Sequence, residues 1–162
     1  MIEQNMSTQD KGALIDAIGR IVMRWQDATQ KYDETVGEIY GLNASERLCL
    51  SFLWLGRQTA SAIAREIRLT PAAVTSLIDR LEKRGFVRRI PDPTDRRKVW
   101  IEAAEEAHRV TREAYLPLGE AGAKNLAKYS LAELEAVRAI LTDAVAIQEA
   151  METELIARQN KP

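Results

Sequence analysis

The stretch 70–85 constrains the fold more than any other part of the chain. Thr70 followed by Pro71 is a helix start: the threonine oxygen can cap a free amide, and proline at the first helical position loses no hydrogen bond. Val74, Leu77, Ile78 and Leu81 then recur at three- and four-residue spacing and mark one apolar face, and Gly85 supplies a C-terminal cap. The opposite face carries Ala72, Ala73, Thr75, Ser76, Asp79, Arg80 and Lys83. Upstream, Thr59 is an N-cap for a short helix over 60–67, with Arg68 and Leu69 as a tight turn. Two short helices joined in this way are a helix-turn-helix.

Downstream, 86–90 and 99–101 read as short strands on either side of Pro91-Asp92-Pro93-Thr94-Asp95-Arg96-Arg97-Lys98, a run of turn formers and bases. Strand, basic loop and strand after a helix-turn-helix make a wing. The flanks are helical. Leu14, Ile15, Ile18, Ile21, Val22, Trp25 and Tyr32 predict an amphipathic helix over 7–32, and Asn43 with Glu46 forms a capping box for a helix over 44–55 that Gly56 ends. A second long helix is expected over 102–128, with Pro117 and Gly119 as the place where it can break. Ser130 and Glu133 form another capping box, opening a last helix to about 157 with Leu131, Leu134, Val137, Ile140, Leu141, Val145 and Ile147 as its apolar stripe.

The expected fold is therefore mainly α with a small β wing: a winged helix-turn-helix DNA-binding lobe over 43–101, with dimerisation helices from both termini over 1–42 and 102–162. At 162 residues, 46% of them hydrophobic, one sizeable core is affordable. Apolar runs fall far short of the roughly 20 residues that span a bilayer, and the first ten residues show no signal pattern, so a cytoplasmic location with no membrane partner is expected. The single cysteine, Cys49, allows neither an internal disulfide nor a multi-cysteine metal site, and the single histidine, His108, removes most schemes that need imidazole. No enzyme, cofactor or metal is expected.

Charge is distributed unevenly. The stretch 56–98 holds eleven basic and five acidic residues, a net +6 inside a chain of net −1, which leaves −7 on the remainder. A basic middle in an acidic frame fits a protein that presents one face to phosphates. Thr75, Ser76 and Arg80 are the candidates to reach base edges in the major groove, because hydroxyls can donate or accept and a guanidinium can bind guanine through two bonds. Two alternatives stand beside this: Arg80 can pair with a nearby carboxylate, and Thr75 can bond the carbonyls of its own helix. Thr70, Ala72, Ala73 and Lys83 complete the helix's contact set. In the wing, Arg96 and Arg97 suit the minor groove, with Asp95 expected to hold Arg97 by an ion pair. A winged-helix protein-interaction module without ligand response is the alternative function, and the wing arginines argue against it.

The run Leu69-Thr-Pro-Ala-Ala-Val-Thr-Ser-Leu-Ile-Asp-Arg-Leu-Glu-Lys-Arg-Gly-Phe-Val-Arg-Arg, followed by Asp92-Pro-Thr-Asp-Arg-Arg97, resembles the MarR family of bacterial transcriptional regulators. The resemblance implies a homodimer joined through its first and last helices, a palindromic double-stranded operator, and a repressor relieved by a small aromatic or phenolic ligand. It also implies an effector pocket near the first two helices, for which Arg24, Trp25, Tyr32, Tyr40 and Trp54 are the candidates, Arg20 being an alternative to Arg24. Two departures are visible. Many relatives follow the second wing strand with Leu-Thr-x-x-Gly, whereas this chain has Ile101-Glu-Ala-Ala-Glu105, and the first-helix cysteine of peroxide-sensing relatives is absent. Cys49, between Leu48 and Leu50, reads as a packing thiol, and His108 as a surface or interface residue.

Overall fold

The computed structural model describes residues 2–95 and 97–159, with side chains from residue 10 onward. The elements run α1 (Ile2–Tyr40), α2 (Ala44–Trp54), β1 (Gln58–Thr59), α3 (Ala60–Glu66), α4 (Pro71–Lys83), β2 (Val87–Pro91), β3 (Val99–Ala103), α5 (Glu105–Val110), a π-helical turn (Thr111–Tyr115), α6 (Leu116–Leu126) and α7 (Leu131–Gln159). The chain divides into two compact units, 1–114 and 115–162.

In the first unit, α1 runs eight residues beyond the expected end at Tyr32, because Val36 and Gly37 continue its buried side. Gly41 stops it in the left-handed region at φ +63, and the Leu42 amide donates back to the Gly37 carbonyl at 2.7 Å. The Asn43 side chain then accepts from the Glu46 amide while Glu46 accepts from the Asn43 amide, so the expected capping box opens α2. Thr59 and Thr70 cap α3 and α4 as expected, by accepting from the amides of Ala62 and Ala73.

The sheet has the order β1-β3-β2, antiparallel throughout. β1 was not expected from the sequence, since two residues carry no readable alternation; it exists because Gln58 and Thr59 pair with Ile101 and Trp100. β2 and β3 pair from Val87 opposite Ala103 to Pro91 opposite Val99, so β3 runs two residues past its expected end. Pro91 closes the ladder where a missing amide matters least.

Val74, Leu77, Ile78 and Leu81 of α4 are all buried, as the spacing predicts, and pack with Ile63, Cys49, Leu53, Phe86, Val87 and Ile101. Val36 of α1, Leu42 just after it, and Ala107 and Val110 of α5 complete this core. Cys49 is fully buried within it, and burial, with the nearby Glu46 charge second, pushes its thiol up to about 12. A packing role follows.

The single helix expected over 102–128 is not formed. β3 extends through Ala103, α5 begins at Glu105, and a π-helical turn separates α5 from α6. The cause is Pro117, which cannot donate to the carbonyl one turn earlier; the wide turn lies just before it, and proline falls in the first turn of α6, where an amide is dispensable. In the second unit, Ser130 and Glu133 form the expected cap at the start of α7. No helix among the described residues is long and apolar enough to cross a membrane.

Candidate nucleic-acid interface

The exposed side of α4 is built by the same spacing that buries its core side. Ala72, Ala73, Thr75, Ser76, Arg80 and Lys83 all lie exposed there, and Thr70 is exposed at its N-cap. The hydroxyls are oriented by their own helix: Thr75 donates to the Pro71 carbonyl at 3.0 Å and Ser76 to the Ala72 carbonyl at 3.2 Å. Each oxygen therefore presents lone pairs outward. Ala73, Ser76 and Arg80 line a cleft of about 370 Å³ together with Leu69, Leu77 and the start of α2 at Asn43, Ala44 and Ser45.

Arg80 is held from behind. Its Nε donates to Glu46 Oε1 at 3.3 Å, while its side chain stays 54% exposed, which leaves its terminal nitrogens available. The carboxylate alternative and the base-contact alternative are thus compatible, because a guanidinium has more than one donor edge. Glu46 is only 3% exposed, and a carboxylate that buried needs several partners. It accepts from Asn43 and Arg80, and Arg84 Nη1 lies 3.7 Å away. Arg84 in turn donates to the carbonyls of Tyr40 and Gly41, the end of α1, and covers the Phe86 ring. One buried carboxylate therefore ties α2 to α4 and, through Arg84, to the end of α1. Sequence reasoning found Glu46 only as a cap; its arginine partners lie 34 and 38 positions away and leave no local signal.

The acidic residues of α4 are occupied. Arg89 of β2 donates to Asp79 at 2.6 Å and bonds Glu82, and Arg88 pairs with Glu102. Lys83 and Arg97 are exposed.

The wing corrects one expectation. Asp95 does not hold the Arg97 guanidinium: it accepts from the Arg97 backbone amide at 3.0 Å, and among the described residues no ion pair joins the two side chains. Two residues of separation in a turn bring the amide, and not the distal guanidinium, to the carboxylate. The organiser is Asp92. It accepts from the Thr94 hydroxyl and amide, the Asp95 amide and the Trp100 indole N–H, and these donors, the Thr94 hydroxyl first, hold its carboxyl well below the usual carboxylate range. Asp followed two residues later by Thr was the available signal for this turn. Arg96 lies outside the described residues.

The five effector-pocket candidates separate. The Tyr32 hydroxyl donates to the Ala114 carbonyl and that of Tyr40 to Glu113, and Arg109 covers the Tyr40 ring, so both tyrosines meet the chain just after α5. Trp54 packs edge-on against exposed His108, with ring centroids 6.0 Å apart. Arg24 and Trp25 are exposed farther along α1, and none of the five lines the 370 Å³ cleft.

A helix-turn-helix followed by a β2–β3 hairpin, with β1 as the sheet's third strand, defines a winged-helix lobe. The chain matches the model of the MarR family over residues 42–99, less than half of its length. It is 34% identical over 94 residues to an uncharacterised HTH-type transcriptional regulator, YcgE, of Bacillus subtilis, covering 58% of this chain and 61% of the relative. It is 33% identical over 75 residues to a second such regulator of that organism, YsmB, covering 46% of this chain and 51% of the relative. The match thus spans half to three-fifths of these relatives' lengths. The fold is similar to a MarR-like transcriptional regulator of Thermotoga maritima (TM-score 0.61, 23% identity, 80% of this chain and 95% of that one). It is also similar to a mutant of S. aureus MepR bound to an oligodeoxyribonucleotide (TM-score 0.52, 22% identity, 78% of this chain and 93% of that one).

Proposed function

We propose that the chain is a sequence-specific, double-stranded DNA-binding transcriptional regulator that works as a homodimer. The observation that carries this reading is the exposed side of α4, where Ala73, Ser76 and Arg80 open onto one cleft while the helix's acidic residues are bonded to β2. In the major groove, the small side chains of Ala72 and Ala73 let the helix approach closely. The outward lone pairs of Thr75 and Ser76 suit base amino groups, and the free edge of Arg80 suits guanine. Thr70 and Lys83 reach the flanking phosphates, Asp95 shapes the turn before Arg97, and Arg97, with Arg96, enters the minor groove. That a similarly folded protein, a mutant of S. aureus MepR, is bound to an oligodeoxyribonucleotide supports a nucleic-acid partner.

The dimer is supported by apolar residues left uncovered within one chain: Leu14, Ile15, Ile18, Val22 and Trp25 on α1, and Val137, Ile140, Leu141 and Val145 on α7. Burying such stripes against a second copy removes apolar surface from water. Two lobes then read a palindrome with half-sites about 34 Å apart. Repression relieved by a small aromatic ligand at Arg24, Trp25, Tyr32, Tyr40 and Trp54 completes the proposal. Its logic is that a ligand favouring the wrong spacing of the lobes costs one half-site.

Gel retardation with DNA from upstream of the chain's own gene tests the reading. Sequence-selective retardation at moderate salt, weakened by Arg97→Ala and by an added aromatic acid, is expected. Equal retardation of any duplex, or none, overturns it.

A further inference from the structure

Trp100 in β3 gathers more charge than any other ring among the described residues. The Arg57 guanidinium carbon lies 4.8 Å from its centroid and the Lys98 ammonium 4.0 Å, so the two charges are no farther apart than the sum of those distances. The indole N–H donates to Asp92 Oδ2 at 2.7 Å. One ring is therefore used twice, its electron-rich π-system by two cations and its positive edge by a carboxylate.

This arrangement fixes the cations without neutralising them. Arg80, Arg88 and Arg89 are each joined to a carboxylate, whereas among the described residues neither Arg57 nor Lys98 makes an ion pair. Asp92, the carboxylate bonded to the same ring, already accepts from four donors. Two like charges gathered on one ring repel each other, and an anion seated against both relieves that repulsion. Arg57 enters from the residue before β1 and Lys98 from the last loop position before β3, so both stand at the base of the wing whose tip carries Arg97.

We propose that Arg57 and Lys98, held on the Trp100 ring, form a clamp at the wing's base for a backbone phosphodiester of duplex DNA. The clamp rests on the DNA-binding reading above and extends it from the wing tip to a sequence-independent anchor. Trp100 is a positioning residue here; the two cations make the contact.

The test is the salt dependence of binding to a short labelled duplex of arbitrary sequence, measured by fluorescence anisotropy. Each phosphate contact contributes about 0.9 to the slope of log affinity against log salt, so R57A/K98A, which removes the clamp on one phosphate, should lower the slope by about 0.9 per bound lobe. Between about 50 and 200 mM salt the native affinity should then fall about 3.5-fold more, per lobe, than that of the variant. R57K/K98R, which keeps both charges, should keep the native slope. A second measurement needs no variant: acetylation of the Lys98 amine should be suppressed by the duplex, while exposed Lys31 on α1 stays reactive. Salt-dependent native binding with an unchanged slope in R57A/K98A and a fully reactive Lys98 overturns the clamp alone. Absence of any salt-dependent duplex binding by the native chain overturns the DNA-binding reading and the clamp with it.

Discussion

A carboxylate as buried as that of Glu46 needs donors on several sides, and it finds them on three sides: the Asn43 amide, Arg80 of α4 and Arg84 just beyond it. Glu46→Ala removes a helix cap and leaves two guanidiniums without their partner, so a loss of about 2 kcal/mol in urea unfolding is expected. A loss below about 0.5 kcal/mol would mean that the pairing is incidental. The cap was readable from Asn43 and Glu46 because it is local. The arginine contacts were not, because only the folded chain brings α2 against α4. Cys49 was legible as a packing thiol from its apolar neighbours, and with its thiol raised to about 12 it should resist a thiol-specific reagent in the native state. Labelling at neutral pH should therefore follow unfolding, and rapid native labelling would contradict the burial.

At the scale of elements, the wing depends on one carboxyl. The folded-state value of Asp92 is depressed below its ordinary 3.8, so its stabilisation is present above that value and is lost only as pH falls toward the depressed one. The Trp100 indole N–H resonance should accordingly stay fixed from neutral pH down to about 4 and move at more acid pH. Asp92→Asn should displace that resonance at every pH, and an unmoved resonance would show that another group holds the loop. Sequence reasoning located the wing but assigned its order to Asp95, because acid beside arginine suggests an ion pair while turn geometry favours backbone amides. Helix α4 was legible in full, since Thr70, Pro71, the apolar spacing and Gly85 are all local signals. Gly85 adopts φ +76, so Gly85→Ala should cost about 1 kcal/mol or more in thermal unfolding. The break between α5 and α6 was foreseen at Pro117, but its form was not: proline announces a disturbed helix without saying whether a kink or a wide turn resolves it.

For the whole molecule, the proposed dimer places two copies of the α4 surface on one duplex. The long apolar stripes of α1 and α7 were readable by period, and they remain exposed in the single chain. A sedimenting dimer at micromolar concentration is expected, with Ile18→Glu and Ile140→Glu each shifting it toward monomer; a native monomer would contradict the pairing. The most direct test of the central claim is selection of bound sequences from a pool of random duplexes. The account predicts an enriched inverted repeat whose half-sites lie about one helical turn apart, and Arg80→Ala should lose about 1–3 kcal/mol of discrimination at one base pair in each half. Enrichment of no sequence, or of the same sequence with undiminished discrimination after Arg80→Ala, would contradict it.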